Sequence, residues 1–522
     1  MIKKILNNDN ENFVLLLLSA VILISINFKW PVWFIDDFGS VDPWLYYATG
    51  EYFDYIKKHL YDTYYFRRWT VTLGNLLFSS IFGPFYGMFV LKSLIFFFGL
   101  FFFQKIIYKI SNKSFLITFI SIFSAFLFHK QLIITVGTSY VQSLSFLLVL
   151  IYIYLLIVHE NQSKDVTLIA LLISLILITY QGNIKFIIPT LILFFFDENL
   201  KFVFNKFVFK KLIKLTILTI VFITLIDEII QFILSIDLRN FFIYTYRTEL
   251  NVRGPFITGY DTFYQDLFGR LYKQTYITGA LLSILIIANF KLIKSILYKK
   301  ICIFYIFFSF MNLLEPFHKL GFSIYVQAKW LHLLFSATLS FIFFILLFIE
   351  LQNKLDKKNN QNSFFFLLKF ISNLFIVLFI IFANHKVGNN FLASAMTMDF
   401  NKAKERIYKT NNENTKITDL ALKLDRRLTI IDDRPHQGWS TNISQLYGMY
   451  SALAVGYPPK FESCNLVDWQ LSYKPLIILY SEKNIQDSID LIIKLTSNCK
   501  FNGSFEFKEE IDKNTKIFVI KN

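Results

Sequence analysis

The chain has 522 residues, of which 55% are hydrophobic, and its formal net charge at pH 7 is +16. The apolar residues fall into repeated runs of about twenty, which soluble domains of similar composition do not show. The positive charge does not indicate nucleic-acid binding, because the lysines cluster in short stretches between apolar runs. We therefore predict an integral membrane protein that contacts membrane lipids and does not bind nucleic acid.

Apolar segments of membrane-spanning length recur along residues 1–384. A helix needs about 20 residues to cross the hydrocarbon core of a bilayer, and about eleven segments meet or approach this length. The predicted spans are 13–34, 84–108, 115–134, 140–158, 166–181, 184–197, 212–231, 275–293, 301–315, 330–350 and 364–383. The first lacks a small-residue cleavage site, so we predict a retained helix rather than a signal peptide. The predicted fold class is a mainly α, polytopic transmembrane domain.

The lysines predict the orientation of these helices. They precede the first span and fill four later links, and with eleven spans all five stretches fall on one side. The positive-inside rule assigns that side to the cytoplasm. The N-terminus is then cytoplasmic, whereas the loops 35–83, 232–274 and 316–329 and the C-terminal tail are extracytoplasmic. We predict a multi-pass protein of the bacterial inner (plasma) membrane.

From residue 385 the composition becomes that of a soluble domain. The strand-like apolar runs are 427–432, 475–481 and 516–522, and the helical patterns are 442–453 and 485–495. Residues 385–522 are therefore predicted to form an extracytoplasmic mixed α/β domain, which is large enough to bury its own core.

Two further features of this C-terminal domain bear on its chemistry. Cys464 and Cys499 form either a disulfide bond or two free thiols, and the sequence leaves both open. Asp432, Asp433 and His436 follow a predicted strand at a spacing that matches no recognised metal-ligand set. These residue types are common in a turn after a strand, which is the interpretation we favour.

The loop after the first span is rich in acidic and aromatic residues. Its six carboxylates are Asp36, Asp37, Asp42, Glu51, Asp54 and Asp62. Tryptophans in and just before the loop favour the membrane interface, so a carboxylate there lies at headgroup depth. Such a group can take a proton from a hydroxyl or bind a divalent cation, whereas the alternative is an ordinary solvated loop.

Residues 42–53, DPWLYYATGEYF, resemble a segment in the first external loop of oligosaccharyltransferase catalytic subunits. More broadly, the chain resembles the GT-C superfamily of membrane glycosyltransferases, which includes protein O-mannosyltransferases and aminoarabinose transferases. The stretch YYFRRW at 64–69, continuing to residues 74–84, is similar to many bacterial members. The predicted helices, acidic first loop and soluble C-terminal domain also agree with that superfamily.

This resemblance implies an inverting glycosyltransferase that takes a sugar from a polyprenyl-phosphate donor. The acceptor would be a cell-envelope glycan, lipid or protein. Asp42 matches the acid of the family's first loop and would act as catalytic base or metal ligand. Asp37 is the rival, because other members place an acidic pair just after their first helix. The cofactor implied, if any, is a divalent cation, Mg²⁺ or Mn²⁺, held by Asp42 and Asp37.

The resemblance also implies residues that contact the substrates. Arg67, Arg68 and Lys329 are predicted to compensate the charge of the donor phosphate, and Glu51 is predicted to contact substrate. Lys329 opens a stretch, KWLHLLF, that resembles a late helix of family members; interfacial anchoring is the alternative. His129 either binds phosphate or marks a helix end.

The sequence also departs from the oligosaccharyltransferase pattern. Those enzymes carry a second Asp-x-Glu motif, whereas residues 129–143 contain no acid, so transfer to protein Asn is less supported. Loop 232–274 contains four arginines and either covers the site or forms an amphipathic surface stretch.

Two alternative functions stay open. A flippase or transporter of lipid-linked saccharides would place ionisable residues inside helices, whereas Asp227 and Glu228 are predicted near a helix end. A polysaccharide polymerase would use an arginine-rich external loop, for which loop 232–274 qualifies.

Overall fold

The computed structural model describes residues 9–29, 33–34, 69–82, 84–111, 113–128, 140–158, 165–179, 183–196, 200–234, 270–314, 327–356, 367–380, 397–398, 420, 423–424, 426, 428–432, 452–454, 474, 476–496 and 503–521. The helices are α1 (Asp9–Lys29), α2 (Trp69–Phe82), α3 (Pro84–Ile110), α4 (Phe115–Phe128), α5 (Tyr140–Ile153), α6 (Val166–Thr179), α7 (Ile184–Ile192), α8 (Lys206–Leu234), α9 (Arg270–Asn289), α10 (Ile296–Leu314), α11 (Gln327–Asp356), α12 (Leu367–Ile380) and α13 (Ile485–Thr496). The strands are β1 (Trp33–Phe34), β2 (Thr397–Met398), β3 (Leu428–Asp432), β4 (Ala452–Ala454), β5 (Leu476–Tyr480), β6 (Ser504–Asp512) and β7 (Thr515–Lys521).

The predicted mainly α character is confirmed. Each of the eleven apolar segments predicted as a span coincides with one of the helices α1 and α3 to α12. The prediction of residues 35–83 as a loop without a helix is wrong for residues 69–82, which form α2. That run is apolar but only 14 residues long, and it stops just before Pro84, which cannot continue the hydrogen bonding of a preceding helix.

One helical segment of the described chain is long and apolar enough to cross a membrane. It is Phe89–Ile110 in α3, with 22 residues, a mean hydropathy of 1.9 and 67% of its window buried inside the molecule. Other apolar helical segments of the described chain are only 10–17 residues long. A buried core helix of a soluble protein can be equally long and apolar, so α3 by itself is weak support for membrane insertion.

Two compact units divide the chain. The first comprises Met1–Val32, Lys92–Ile223 and Gly259–Thr397, and the second comprises Trp33–Leu91, Thr224–Thr258 and Met398–Asn522. The second unit therefore joins the C-terminal segment to two stretches that are distant in sequence. One of these contains α2, and the other contains the last residues of α8.

The first unit has a core of aliphatic and aromatic side chains. Phe304 packs on Phe308 with ring centroids 5.7 Å apart, and the Phe335 ring meets both Phe304 and Phe103 edge to face. Gly99 on α3 lies against the Phe146 ring of α5, where an added Cβ would come within 2.8 Å of a ring carbon. The close approach of these two helices thus depends on glycine.

Polar side chains in this core are paired between helices. Tyr152 and Thr190 share a hydrogen bond of 2.6 Å. The Asn289 amide donates to Asn373 Oδ1 at 3.2 Å, and both asparagines are buried. Such pairs fix which helices are neighbours, because a buried polar group without a partner is costly.

Several helices expose apolar side chains along a whole face. On α8 the exposed set is Phe207, Phe209, Ile213, Ile217, Ile220, Val221, Leu225, Ile229, Phe232 and Ile233. On α12 it is Leu367, Leu368, Ile371, Phe375, Leu378 and Phe379. Contiguous apolar faces of this extent are unusual on a protein surrounded by water.

The second unit contains a five-stranded sheet in the order β4-β3-β5-β7-β6. Strand β3 runs parallel to β4 and β5, with Ile430 opposite both Ala452 and Ile478, and β7 runs antiparallel to β5 and β6. Ile492 of α13 packs into the same small core as Phe518 of β7.

The mixed α/β prediction for the C-terminal segment is confirmed for its main elements. Strands β3 and β5 fall within two of the predicted apolar runs, β7 overlaps the third and begins one residue earlier, and α13 matches the predicted helix at 485–495. Residues 452–453 were predicted as the end of a helix, and they belong to β4 instead, because pairing with β3 overrides their local pattern. Strand β6 was not predicted, since its exposed face is strongly charged.

Candidate functional site

Six of the seven predicted site residues lie outside the described residues. They are Asp37, Asp42, Glu51, Arg67, Arg68 and His129. The seventh, Lys329, lies in the first turn of α11, which confirms the predicted helix start there.

Trp69 is the described residue next to Arg68, and it begins α2. Its side chain is buried, and the indole Nε1 donates a hydrogen bond of 2.7 Å to Oδ1 of Asp227. An indole N–H can only donate, and an ionised carboxylate can only accept, so the two groups match in chemistry as well as in distance. This bond connects residues 158 positions apart.

Gln231 completes this group. Its Nε2 donates to Oδ2 of Asp227 at 2.8 Å, from a position one turn further along α8. Asp227 is 1% exposed, so its carboxylate is removed from water. A buried carboxylate is costly unless it is paired or hydrogen-bonded, and here each oxygen accepts a bond. We refer to Trp69, Asp227 and Gln231 as the Asp227 cluster.

The Asp227 cluster lies where two predicted extracytoplasmic loops meet the described helices. The acidic loop ends at Trp69, and the arginine-containing loop begins just beyond Leu234, the last residue of α8. The hydrogen bonds of Asp227 therefore fix the end of one loop close to the start of the other.

The hydrogen bonds of Asp227 were not predicted from the sequence. Asp227 was placed near a helix end, but α8 continues for seven residues beyond it to Leu234, about two turns. A signal was available, because an acid inside an otherwise apolar helix needs a partner. The partner, Trp69, was not identifiable, since nothing local links positions so distant in sequence.

A second buried polar group involves Lys105 of α3. Its ammonium donates to Asn12 Oδ1 at 2.9 Å and lies 5.3 Å from the ring centroids of both Phe101 and Tyr154. Tyr154 opens a π-helical turn, Tyr154–Val158, that follows α5. Amide and ring contacts of this kind stabilise a buried cation, so the group serves as an anchor for α1.

Near this anchor, Glu11 and Lys113 form an ion pair of 3.8 Å. The first residues of α1 thus lie beside the last turn of α3, as expected if both ends are on the same side of a membrane. Among the described residues, no group of three or more His, Cys, Asp or Glu side chains could hold a metal ion. The two proposed cation ligands, Asp37 and Asp42, are not among them.

In comparisons with known proteins, no protein-family model, no curated protein and no solved structure matches this chain.

Proposed function

We propose that this chain is a membrane glycosyltransferase acting on the extracytoplasmic side. It would transfer a sugar from a polyprenyl-phosphate donor to a glycan, lipid or protein acceptor of the cell envelope. The resemblance of residues 42–53 to the first loop of GT-C enzymes suggests this reaction.

The exposed apolar faces support the membrane part of this proposal. On α8 and α12 they combine with polar side chains that are buried, such as Asp227 and Asn373. That distribution suits a solvent of lipid chains, in which apolar side chains face outward and polar groups pair inside. A multi-pass arrangement also agrees with the lysine-rich links of the sequence.

The single observation that carries the proposed site is the hydrogen bond between Trp69 and Asp227. It brings the end of the acidic loop to the start of the loop that contains Arg239, Arg247 and Arg253. A glycosyl transfer from a lipid phosphate needs both a carboxylate and positive charge near one anomeric carbon. In this proposal the acidic loop supplies the carboxylate and the arginine-containing loop adds positive charge.

The proposed chemistry is an inverting displacement. Asp42 takes the proton of the acceptor hydroxyl while the acceptor oxygen forms a bond to the anomeric carbon. The bond from that carbon to the phosphate oxygen breaks, and the lipid phosphate leaves as an anion. Arg67, Arg68 and Lys329 stabilise its charge, so the leaving group needs no proton. Glu51 and His129 would contact the substrates.

A divalent cation is a proposed, optional part of this site. Carboxylate oxygens are ligands that Mg²⁺ and Mn²⁺ accept, and Asp42 and Asp37 would supply them. The cation would add positive charge beside the donor phosphate.

The test is sugar transfer by membranes that contain the wild type or Asp42→Asn at matched expression. The donors are a panel of radiolabelled polyprenyl-phosphate sugars, and Asp62→Asn in the same loop is the matched control. We expect transfer by the wild type and the control, and a loss of about 100-fold or more in Asp42→Asn, because general-base catalysis contributes that much. Unchanged transfer in Asp42→Asn would move the base to Asp37.

A flippase of lipid-linked saccharides is the second candidate. Ionisable side chains are buried within described apolar helices, which is typical of transport pathways; among them are Lys92, Lys105, Asp227 and Lys300. Movement of labelled lipid across the bilayer, with no transfer from any donor, would favour this function.

A further inference from the structure

We propose that the start of α8 and the residues just before it form a binding surface for the headgroups of anionic phospholipids. The surface, which we call the basic aromatic surface, consists of exposed lysines and phenylalanines: Lys201, Phe202, Phe204, Lys206, Phe207, Phe209, Lys210 and Lys214. It would lie on the predicted cytoplasmic side of the membrane. The inference rests on the membrane part of the proposed function and is independent of the glycosyl transfer.

The phenylalanines before α8 are held in a fixed arrangement. Phe196 and Phe202 form an antiparallel β-bridge, and the Val203 amide donates to the Phe195 carbonyl at 2.7 Å. The Phe195 ring stacks against Phe202 and Phe204, with ring centroids 6.0 and 5.8 Å apart. Phe202 and Phe204 are nevertheless 65% and 75% exposed. The fold thus holds large apolar rings at the surface, where an apolar environment is needed to cover them.

Lysines follow these rings on α8. Lys206, Lys210 and Lys214 are exposed and lie at intervals of four residues, so they share one face of the helix. Their Cα atoms extend over about 12 Å along the helix axis. Residues 197–226 contain five lysines against two acids, and both acids precede the first lysine. A surface with this excess of positive charge attracts the phosphates of anionic lipids.

The face that carries these lysines becomes apolar further along α8. Ile217, Ile220 and Val221 continue the lysine face, and all three side chains are exposed. A basic end followed by an apolar stretch is the order expected where a helix passes from lipid headgroups to acyl chains. The lysine stems can lie along the apolar surface while the ammonium groups reach the headgroups. An anionic bilayer leaflet therefore complements both parts of this face.

The experiment uses the purified full chain in a neutral detergent, with phosphatidylglycerol or phosphatidylcholine added. It measures the mole fraction of lipid that gives half of the full rise in unfolding temperature, since a ligand of the folded chain stabilises it. We expect the wild type to require about tenfold less phosphatidylglycerol than phosphatidylcholine. The difference should fall below about threefold in roughly 0.5 M NaCl, because salt screens exposed charges.

Two pairs of substitutions test the lysines of the basic aromatic surface. Lys210→Gln with Lys214→Gln should raise the half-saturating fraction of phosphatidylglycerol about tenfold, because each lysine near an anionic headgroup adds to the attraction. Lys291→Gln with Lys294→Gln is the matched control and should raise it less than about threefold. The control lysines are also exposed and are predicted on the same side, but the phenylalanine beside them, Phe290, is partly buried.

A third variant tests the aromatic part. Phe207 is 71% exposed, so Phe207→Ser removes a surface ring without opening the core. We expect this variant to weaken the binding of both lipids about fivefold, because burial of a phenyl ring among acyl chains is favourable whatever the headgroup. The loss should be equal at low and high salt, in contrast to that of the lysine pair.

Three results would overturn the proposal. The first is equal half-saturation by the two lipids in the wild type, a comparison that needs no variant to fold. The second is an equal effect of the two lysine pairs. The third is a rise in unfolding temperature with inorganic phosphate that matches the rise with phosphatidylglycerol, which would indicate a site for free phosphate. None of these measurements involves sugar transfer, so failure of the proposed transferase activity would be seen separately.

Discussion

At the scale of single residues, Gly99 determines how closely α3 and α5 approach. The Phe146 ring occupies the space that any larger side chain at this position would need, with ring carbons 2.8 and 2.9 Å from the place of a Cβ. In a densely packed interior, even one added methyl group lowers the stability of the fold, because neighbouring side chains must move off their preferred rotamers.

We therefore expect Gly99→Val to destabilise the protein by about 1–3 kcal/mol. The measurement is thermal unfolding of the purified protein in detergent. Ala280→Val is the matched control, because Ala280 is exposed on α9 and an added branch there meets no core side chain. Equal unfolding midpoints for Gly99→Val and the wild type would show that the Phe146 ring moves aside without cost.

Buried polar residues determine which helices pack together more than they add to the free energy of unfolding. A pair such as Asn289 and Asn373 contributes little net free energy when formed, but leaving one amide unpaired costs about 1–3 kcal/mol. Alternative packings of these similar apolar helices are excluded by this cost. The Asp227 cluster likewise excludes alternative packings of α2 and α8, because a buried carboxyl group left without its partner costs more free energy than an amide.

At the scale of elements, α2 is the helix whose placement affects the whole topology. It has 14 residues and no charged side chain, and its length of about 21 Å is less than the roughly 30 Å of a bilayer core. Leu73, Leu77 and Ile81 lie at intervals of four residues and are exposed, so they share one face. We interpret α2 as a helix that lies at the membrane interface and does not cross.

A labelling experiment tests this interpretation. If α2 does not cross, Lys113, in the link after α3, is cytoplasmic, and β6 of the C-terminal segment is extracytoplasmic. In a variant without Cys302, Cys464 and Cys499, we expect Ser504→Cys to react with an impermeant maleimide in intact spheroplasts. Lys113→Cys should react only after permeabilisation. The reverse pattern would mean that α2 crosses and that the orientation of every later helix is inverted.

At the scale of the whole molecule, the distribution of apolar surface is the feature with the clearest consequence. Faces of α1, α8 and α12 expose large apolar side chains, such as Phe13 and Phe232 at 66% and 86% exposure. In water this area would favour aggregation, whereas in lipid it costs nothing. We therefore expect the intact protein to behave as an integral membrane protein.

Extraction of cell membranes at alkaline pH provides the test. Carbonate at about pH 11 releases proteins held by charge, but not chains whose apolar faces contact lipid. The protein should stay in the pellet with an integral marker and dissolve only in detergent, while a peripheral protein of the same membranes is released. Recovery of the folded chain in the carbonate supernatant would contradict the membrane assignment.

The sequence by itself determined the element content of most of the described chain. Runs of apolar residues located α1 and α3 to α12, and shorter runs located β3, β5 and β7, because hydrophobic periodicity is a local property. It failed at α2, which is too short for a span, and at β4, whose three residues form a strand only by pairing with β3. For the predicted site residues, the sequence correctly predicted only that Lys329 lies at the start of a helix.

Only the tertiary structure decided which distant residues meet. The bond between Trp69 of α2 and Asp227 of α8 joins residues 158 positions apart, and no composition, spacing or periodicity specifies it. The same holds for the contact of Gly99 with Phe146 and for the order of the five strands. The physical reason is that many apolar helices of similar pattern can pack in many ways, and the choice depends on the shapes and buried hydrogen bonds of side chains that are remote in the chain.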